Sequence, residues 1–313
     1  MNIINNILES VFLRDQPPVL IDIGASGELH HKWKCIAPYS ICIAFDADDR
    51  EFHVSEQVNK QYKKLISFNR IVTSEHADQA TFYLTKSPYC SSLLMPQAEK
   101  LEPWIFSELF KVERTTSLAA ITIAEALQKV NITYIDWFKT DTQGTDLRLY
   151  NTLPEKILSQ VLAAEFEPGI MDAYAGEDKL FQVMQEMHRK DFWLSSMEVK
   201  GVQRLKNRYA SEIGLGTVKR VIKKSPGWAE VTYLRLPDCN TERQLLLLYV
   251  FALLEKQYGF ALEVTDVAIQ KFGDPIFQHC RHAVLKKIRA DRWKIPFVIF
   301  KRQTKKILSG IDD

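Results

Sequence analysis

The sequence predicts an α/β fold wound on a mostly parallel sheet, and three observations carry that reading. Residues 19–27 read Val-Leu-Ile-Asp-Ile-Gly-Ala-Ser-Gly, a short β-branched run and a glycine turn, with a helical pattern that can begin near Glu28. A continuous apolar run of this length suits a strand buried on both faces. Further short apolar runs then alternate with helical patterns as far as residue 237, the cadence of β-α-β units. Finally, the second run, residues 40–45, ends in Asp46, 19 residues after Gly27. In open α/β sheets an acidic residue at about that distance is the expected acceptor for a ribose hydroxyl.

Each element can be justified in turn. Residues 3–12 place apolar side chains at helical spacing, and Pro17-Pro18 ends any helix before the first strand. Residues 29–36 form a helix candidate with Trp33 on its apolar side. His30 and His31 stand at its start, where they face either substrate or solvent. Residues 49–59 read as a polar-faced helix, 65–72 as the third strand and 80–85 as an adjoining strand or hairpin arm. Residues 87–96 hold Pro, Ser, Ser and Pro and read as a loop, in which Ser91 and Ser92 contact substrate or cap a turn. Residues 101–110 concentrate Trp104, Ile105, Phe106, Leu109 and Phe110, which suits a lid, an acceptor pocket or a covering helix. A strand at 115–120 leads to Thr122, an N-cap completed by Glu125 three residues later.

Residues 132–139 read as the fourth core strand, with Asp141 past its carboxyl end and so near Asp22 and Gly24. Gln143-Gly144 makes a turn, and Asp146 opens the next helix, where its charge suits the dipole. Residues 160–166 form a fifth strand that runs into Glu165 and Glu167, which alternation puts on one side. A helix at 180–187 is followed by strands at 192–199 and 229–236, an antiparallel edge pair entered through a turn at Pro226-Gly227-Trp228. Helical patterns at 242–258 and 259–272 complete the chain's regular part. The expected division is an N-terminal helix (1–14), an α/β domain (15–237) and a helical, basic extension (238–313).

Composition removes several classes. The 313 residues are 46% apolar and 26% charged with a net charge of +2, an ordinary globular balance that gives no global attraction for nucleic acid. The five cysteines include no C-x-x-C pair, which fits reduced thiols of a cytosolic protein rather than a disulfide or zinc framework. No P-loop, nucleophile elbow or metal cluster is visible. The longest apolar run, residues 245–254, is ten residues long and too short to span a bilayer. A cytoplasmic protein is expected.

The glycine motif then separates ligand classes. A dinucleotide fingerprint reads G-x-G-x-x-G, whereas this chain reads Asp22-x-Gly24-x-x-Gly27. A carboxylate at the first position repels a pyrophosphate and suits a cationic ligand that carries an ammonium and a sulfonium. With Asp46 this favours S-adenosylmethionine over NAD, held by Asp22, Gly24, Ala25, Ser26, Gly27, Asp46 and Ala47. A buried turn carboxylate is the other reading of Asp22. Methyl transfer to a hydroxyl calls for a base. Asp141 is the first candidate by its strand-end position, Glu165 the second, and His31 or His30 the third. Asp141 could equally bind the cofactor ammonium or cap the Gly144 turn. Lys139, two residues before it, could hold its carboxyl ionised.

Across residues 15–200 the chain resembles the FkbM-type S-adenosylmethionine-dependent methyltransferases. The resemblance rests on Ile21-Asp22-Ile23-Gly24-Ala25-Ser26-Gly27, Ala44-Phe45-Asp46, Ser91-Ser92-Leu93, Ala164-Glu165, and the run from Phe138 through Lys139, Thr140, Asp141, Thr142, Gln143, Gly144 and Thr145 to Asp146. It implies a Rossmann-like class I methyltransferase fold with a seven-stranded, mostly parallel sheet and helices on both faces. It adds Val72 and Thr73 as adenine contacts, and a sugar or surface-polysaccharide precursor as the O-methylated acceptor. The chain departs from the family at Gln143, where Glu is usual, and at Asp46-Ala47, where Glu-Pro is usual. The Gln143 departure keeps an alternative in view, a methyltransferase-like accessory module in glycan assembly that does not turn over.

The stretch that opens at Arg281 and closes at Lys306 holds ten Lys or Arg against one acidic residue, Asp291, hence +9. With the whole chain at +2, the remainder is −7. Trp293, Phe297, Ile299 and Phe300 are interleaved. Such a tail suits an anionic membrane, at the inner face, or an acidic polymer. A solvated helix docked by its apolar stripe is the alternative, and specific nucleic-acid binding is not expected.

Overall fold

Strand β1 (Val19–Ile23) is buried along its whole length, as a run of apolar residues flanked by parallel neighbours must be. The computed structural model describes residues 3–24, 30–45 and 61–292. The other strands are β2 (Ile41–Phe45), β3 (Lys64–Phe68), β4 (Ile71–Val72), β5 (Gln79–Thr85), β6 (Val112–Ile121), β7 (Trp137–Thr140), β8 (Ala163–Phe166), β9 (Phe192–Gln203) and β10 (Lys224–Arg235). Seven of them form one sheet in the order β3-β2-β1-β7-β8-β10-β9. The first five run parallel, while β10 is antiparallel to both β8 and β9. This mixed α/β sheet is compatible with a Rossmann-like arrangement, and its order reverses on either side of β1 and β7.

Two compact units divide the chain: Leu8–Leu236, and Met1–Ile7 with Pro237–Asp313. In the first, Ile21, Ile23, Phe138 and Phe166 share one core with Tyr150, Val183 and Met187. Trp33 and Trp137 meet edge to face, centroids 6.0 Å apart. Each fully buried aliphatic or aromatic side chain of this kind contributes roughly 1.5–3 kcal/mol. In the second unit, helices Glu242–Leu254, Tyr258–Phe272 and Pro275–Asp291 pack together. Leu245 to Ala252 are all buried, as expected of a helix that is apolar all round. Among the described residues, no helix is long and apolar enough to cross a membrane.

Several elements differ from the sequence reading. The run at 65–72 is two strands. β3 ends at Phe68, and Ile71–Val72 leaves for a second sheet of order β4-β6-β5, because Arg70 donates to the Ala120 carbonyl at 3.1 Å and draws the chain to β6. Residues 29–36 give no α-helix among the described residues. Short 3-10 turns at His31–Trp33 and Ala37–Tyr39 stand there, the second built around Pro38. The fourth core strand starts at Trp137, not 132, because the Asp136 carboxylate takes the Val19 N–H at 2.9 Å and holds the preceding backbone out of the ladder. The fifth likewise starts at Ala163.

Residues 101–110 form no covering helix. Pro103 follows a single turn at Ala98–Leu101, and a 3-10 turn occupies Ser107–Phe110. Pro226-Gly227-Trp228 lies within β10 as a bulge, not before it, since Gly227 O is taken by the N–H groups of Ile170 and Met171. Helices Asn207–Ile213 and Leu215–Val221 were not foreseen. The reading of 49–59 as a helix falls outside the described residues, as do Ala25, Ser26, Gly27, Asp46, Ala47 and the tail from Trp293 onward.

Candidate functional site

The carboxyl ends of β1, β2 and β7 are laced together by backbone bonds. Gly24 N–H donates to Phe45 O at 3.1 Å, and Asp141 N–H donates to Ile23 O at 2.9 Å. Gly24 takes φ +79°, and a Cβ there would lie 2.1 Å from the Asp141 carbonyl oxygen. Only glycine fits. The backbones of β1 and β7 therefore meet tightly where a ligand crevice opens in sheets of this type.

A cavity of about 620 Å³ opens there, within the range that holds a small ligand. Lys139, Asp141, Gln143 and Glu167 are among its polar groups. Phe45, Ile71 and Val72 line one apolar side; Phe106, Phe110, Tyr174 and Trp228 line another. The Phe106 and Trp228 rings lie nearly parallel, 9° apart in plane with centroids 6.3 Å apart.

The polar groups are fixed by a network. Gln143 adopts φ +56°, and its Nε2 donates to Asp141 Oδ1 at 2.7 Å. The Tyr174 hydroxyl donates to Cys90 O at 2.9 Å and lies 3.3 Å from Gln143 Oε1, and Ser92 Oγ donates to the Gln143 carbonyl at 2.8 Å. Ser92 thus pins the turn, while Ser91 takes the Thr85 N–H at 3.1 Å and lines the cavity. Asp146 is buried beneath and accepts from Thr142 N (2.9 Å), Thr142 Oγ1 (2.5 Å), Thr140 Oγ1 (3.1 Å) and Glu167 N (2.9 Å). Burial and then the Asp141 charge push its carboxyl up to about 6.

Glu167, unassigned in the sequence reading, lies in the cavity beside Asp141. Burial, the Asp141 charge and a hydrogen bond to Asp141 push its carboxyl up to about 9, so it carries a proton at neutral pH. Alternation along β8 was the available signal, but it did not distinguish Glu167 from Glu165. Glu165 accepts from Lys32 Nζ at 2.8 Å and from Trp137 Nε1 at 2.8 Å. It does not line the cavity, and although burial opposes it, the nearby Lys32 and His30 charges hold its carboxyl below the usual range.

The remaining residues divide clearly. Asp22 is buried and paired with Lys139, Oδ1 to Nζ 2.6 Å, so its charge is met from within. Burial works against the Lys139 ammonium, but Asp22 and then Asp141 outweigh it and raise its pKa. Lys139 is thus bound to Asp22 rather than dedicated to Asp141. Gly24 and Val72 line the cavity. Thr73 does not: its N–H donates to Ile121 O at 3.0 Å and its hydroxyl to Glu75 O at 2.8 Å. His31 is exposed, away from the cavity. His30 is largely buried, and burial pulls its imidazole down to about 4. Ala25, Ser26, Gly27, Asp46 and Ala47 lie outside the described residues.

No protein-family model, curated protein or solved structure matches the chain.

Proposed function

We propose that the chain is an S-adenosylmethionine-dependent methyltransferase of class I, Rossmann-like architecture that methylates a hydroxyl of a small or glycan acceptor. The observation that carries the reading is the cavity at the carboxyl ends of β1, β2, β7 and β8, lined by a half-buried carboxyl pair and by aromatic rings. The strand order, with β10 reversed between β8 and β9, supports the same reading. So does the resemblance to FkbM-type enzymes.

The residues present fit the cofactor. Gly24 and Asp141 both line the cavity, and the Asp141 carboxylate offers negative charge to a cationic ligand. Glu167 and Gly24 would hold the amino-acid end, and Phe45 and Val72 the adenine, with Asp46 the ribose acceptor by the sequence pattern. When bound, S-adenosylmethionine supplies a methyl group on a positively charged sulfur. The chain's own residues position and deprotonate. Trp228, Phe106 and Phe110 exclude water and orient the acceptor against their faces, as suits the apolar face of a sugar ring. The Asp141 carboxylate, its Oδ1 held by Gln143 Nε2, takes the acceptor proton. Glu165 and His31, outside the cavity, take no part in the proton transfer.

Label in the methyl group of S-adenosylmethionine tests this against a panel of sugar hydroxyls. The expected result is transfer to at least one acceptor, slowed about 10²-fold or more by Asp141→Asn. Tight cofactor binding with no transfer to any acceptor would favour the non-catalytic accessory module.

A further inference from the structure

β9 and β10 pair as far as Gln203 opposite Lys224, and about two residues suffice to close an antiparallel hairpin. The chain instead sends residues 204–223 out as two short helices, Asn207–Ile213 and Leu215–Val221. Ala210 and Val218 point inward and are buried. Tyr209, Ile213, Leu215 and Val221 are 40%, 44%, 59% and 75% exposed. Residues 204–224 hold seven Lys or Arg against one acidic residue, Glu212. Lys206 is met by Glu102 at 2.8 Å, and Arg208 lies over the Tyr209 ring. Lys219, Arg220, Lys223 and Lys224 are exposed and make no ion pair among the described residues.

We propose that this excursion is a peripheral docking surface for an anionic phospholipid bilayer. Four uncompensated cations close together in sequence repel one another in water and gain from a negative surface. Exposed aliphatic side chains among them gain from burial at the headgroup boundary. A nucleic acid would satisfy the cations but offers Ile213, Leu215 and Val221 nothing comparable, since its recognition of flexible strands uses aromatic stacking. The base of the excursion is tied to the cavity wall. Ile105 N–H donates to Gln203 O at 3.2 Å, and Asn207 Nδ2 donates to Ser107 Oγ at 2.9 Å. Phe106, Leu109 and Phe110 of that same segment line the cavity, where Leu109 and Tyr89 remain exposed. A bilayer under the excursion therefore lies beside the apolar side of the cavity and suits an acceptor carried on a lipid. The docking surface does not depend on the identity of the cofactor.

The test is co-sedimentation of the full chain with phosphatidylcholine vesicles, with and without phosphatidylglycerol. Binding to the anionic vesicles alone is expected. The quadruple variant K219Q/R220Q/K223Q/K224Q should lose at least about tenfold in partition. Leu215→Ser with Val221→Ser, which leaves every charge in place, should also bind more weakly. Both variants keep the basic residues 281–306, so full binding by both would assign any affinity to that tail and overturn the proposal. No binding by the wild type, or binding of an oligonucleotide in place of vesicles, would overturn it as well.

Discussion

Glu167 holds its proton beside Asp141 inside the cavity, and that sets a pH dependence. The Glu167 carboxyl sits at about 9 against an ordinary 4.5, so between those values the folded chain holds a proton that the unfolded chain has released. Stability therefore falls as pH rises through that window. Urea midpoints at pH 6 and pH 9 should differ in the wild type and much less in Glu167→Gln. In the catalytic reading kcat/KM changes with pH as Glu167 loses its proton near 9, and Glu167→Gln removes that change. An unchanged profile in the variant would remove Glu167 from the proton pathway. The position of Asp141 was legible, because strand ends of a parallel sheet converge. Choosing between Glu165 and Glu167 was not, because the partners that occupy Glu165, namely Lys32 and Trp137, come from distant turns and strands.

At the scale of elements, Asp146 joins more than a helix start. Its four hydrogen bonds tie the end of β7, the turn after it and the end of β8. Asp146→Ala leaves part-buried N–H groups of Thr142 and Glu167 without their acceptor and should cost about 3 kcal/mol in a denaturation midpoint. Thr122→Ala removes one side of a capping box that the structure contains complete, and should cost only about 1 kcal/mol. Equal losses in the two variants would contradict this ranking. The capping box was readable because its partners are three residues apart. The division of the 65–72 run was not, because the Ala120 carbonyl that Arg70 reaches lies 50 positions along the chain.

For the whole molecule, alternation of strand and helix was enough to predict a mostly parallel sheet, and the structure has one. The strands at 80–85 and 115–120 were legible, but not their separation into a second sheet, β4-β6-β5, because strand pairing across some tens of residues leaves no local pattern. The excursion at 204–223 escaped because two seven-residue helices carry too few turns to show a period. The central claim is that the cavity between the ends of β1 and β7 binds a sulfonium nucleoside. Calorimetric titration of the chain and of Asp141→Asn with S-adenosylmethionine, S-adenosylhomocysteine and NAD tests it most directly. The account predicts micromolar binding of the first two, weakened at least about tenfold in the variant, and none of NAD. Binding of NAD in their place, or of no ligand at all, would contradict it.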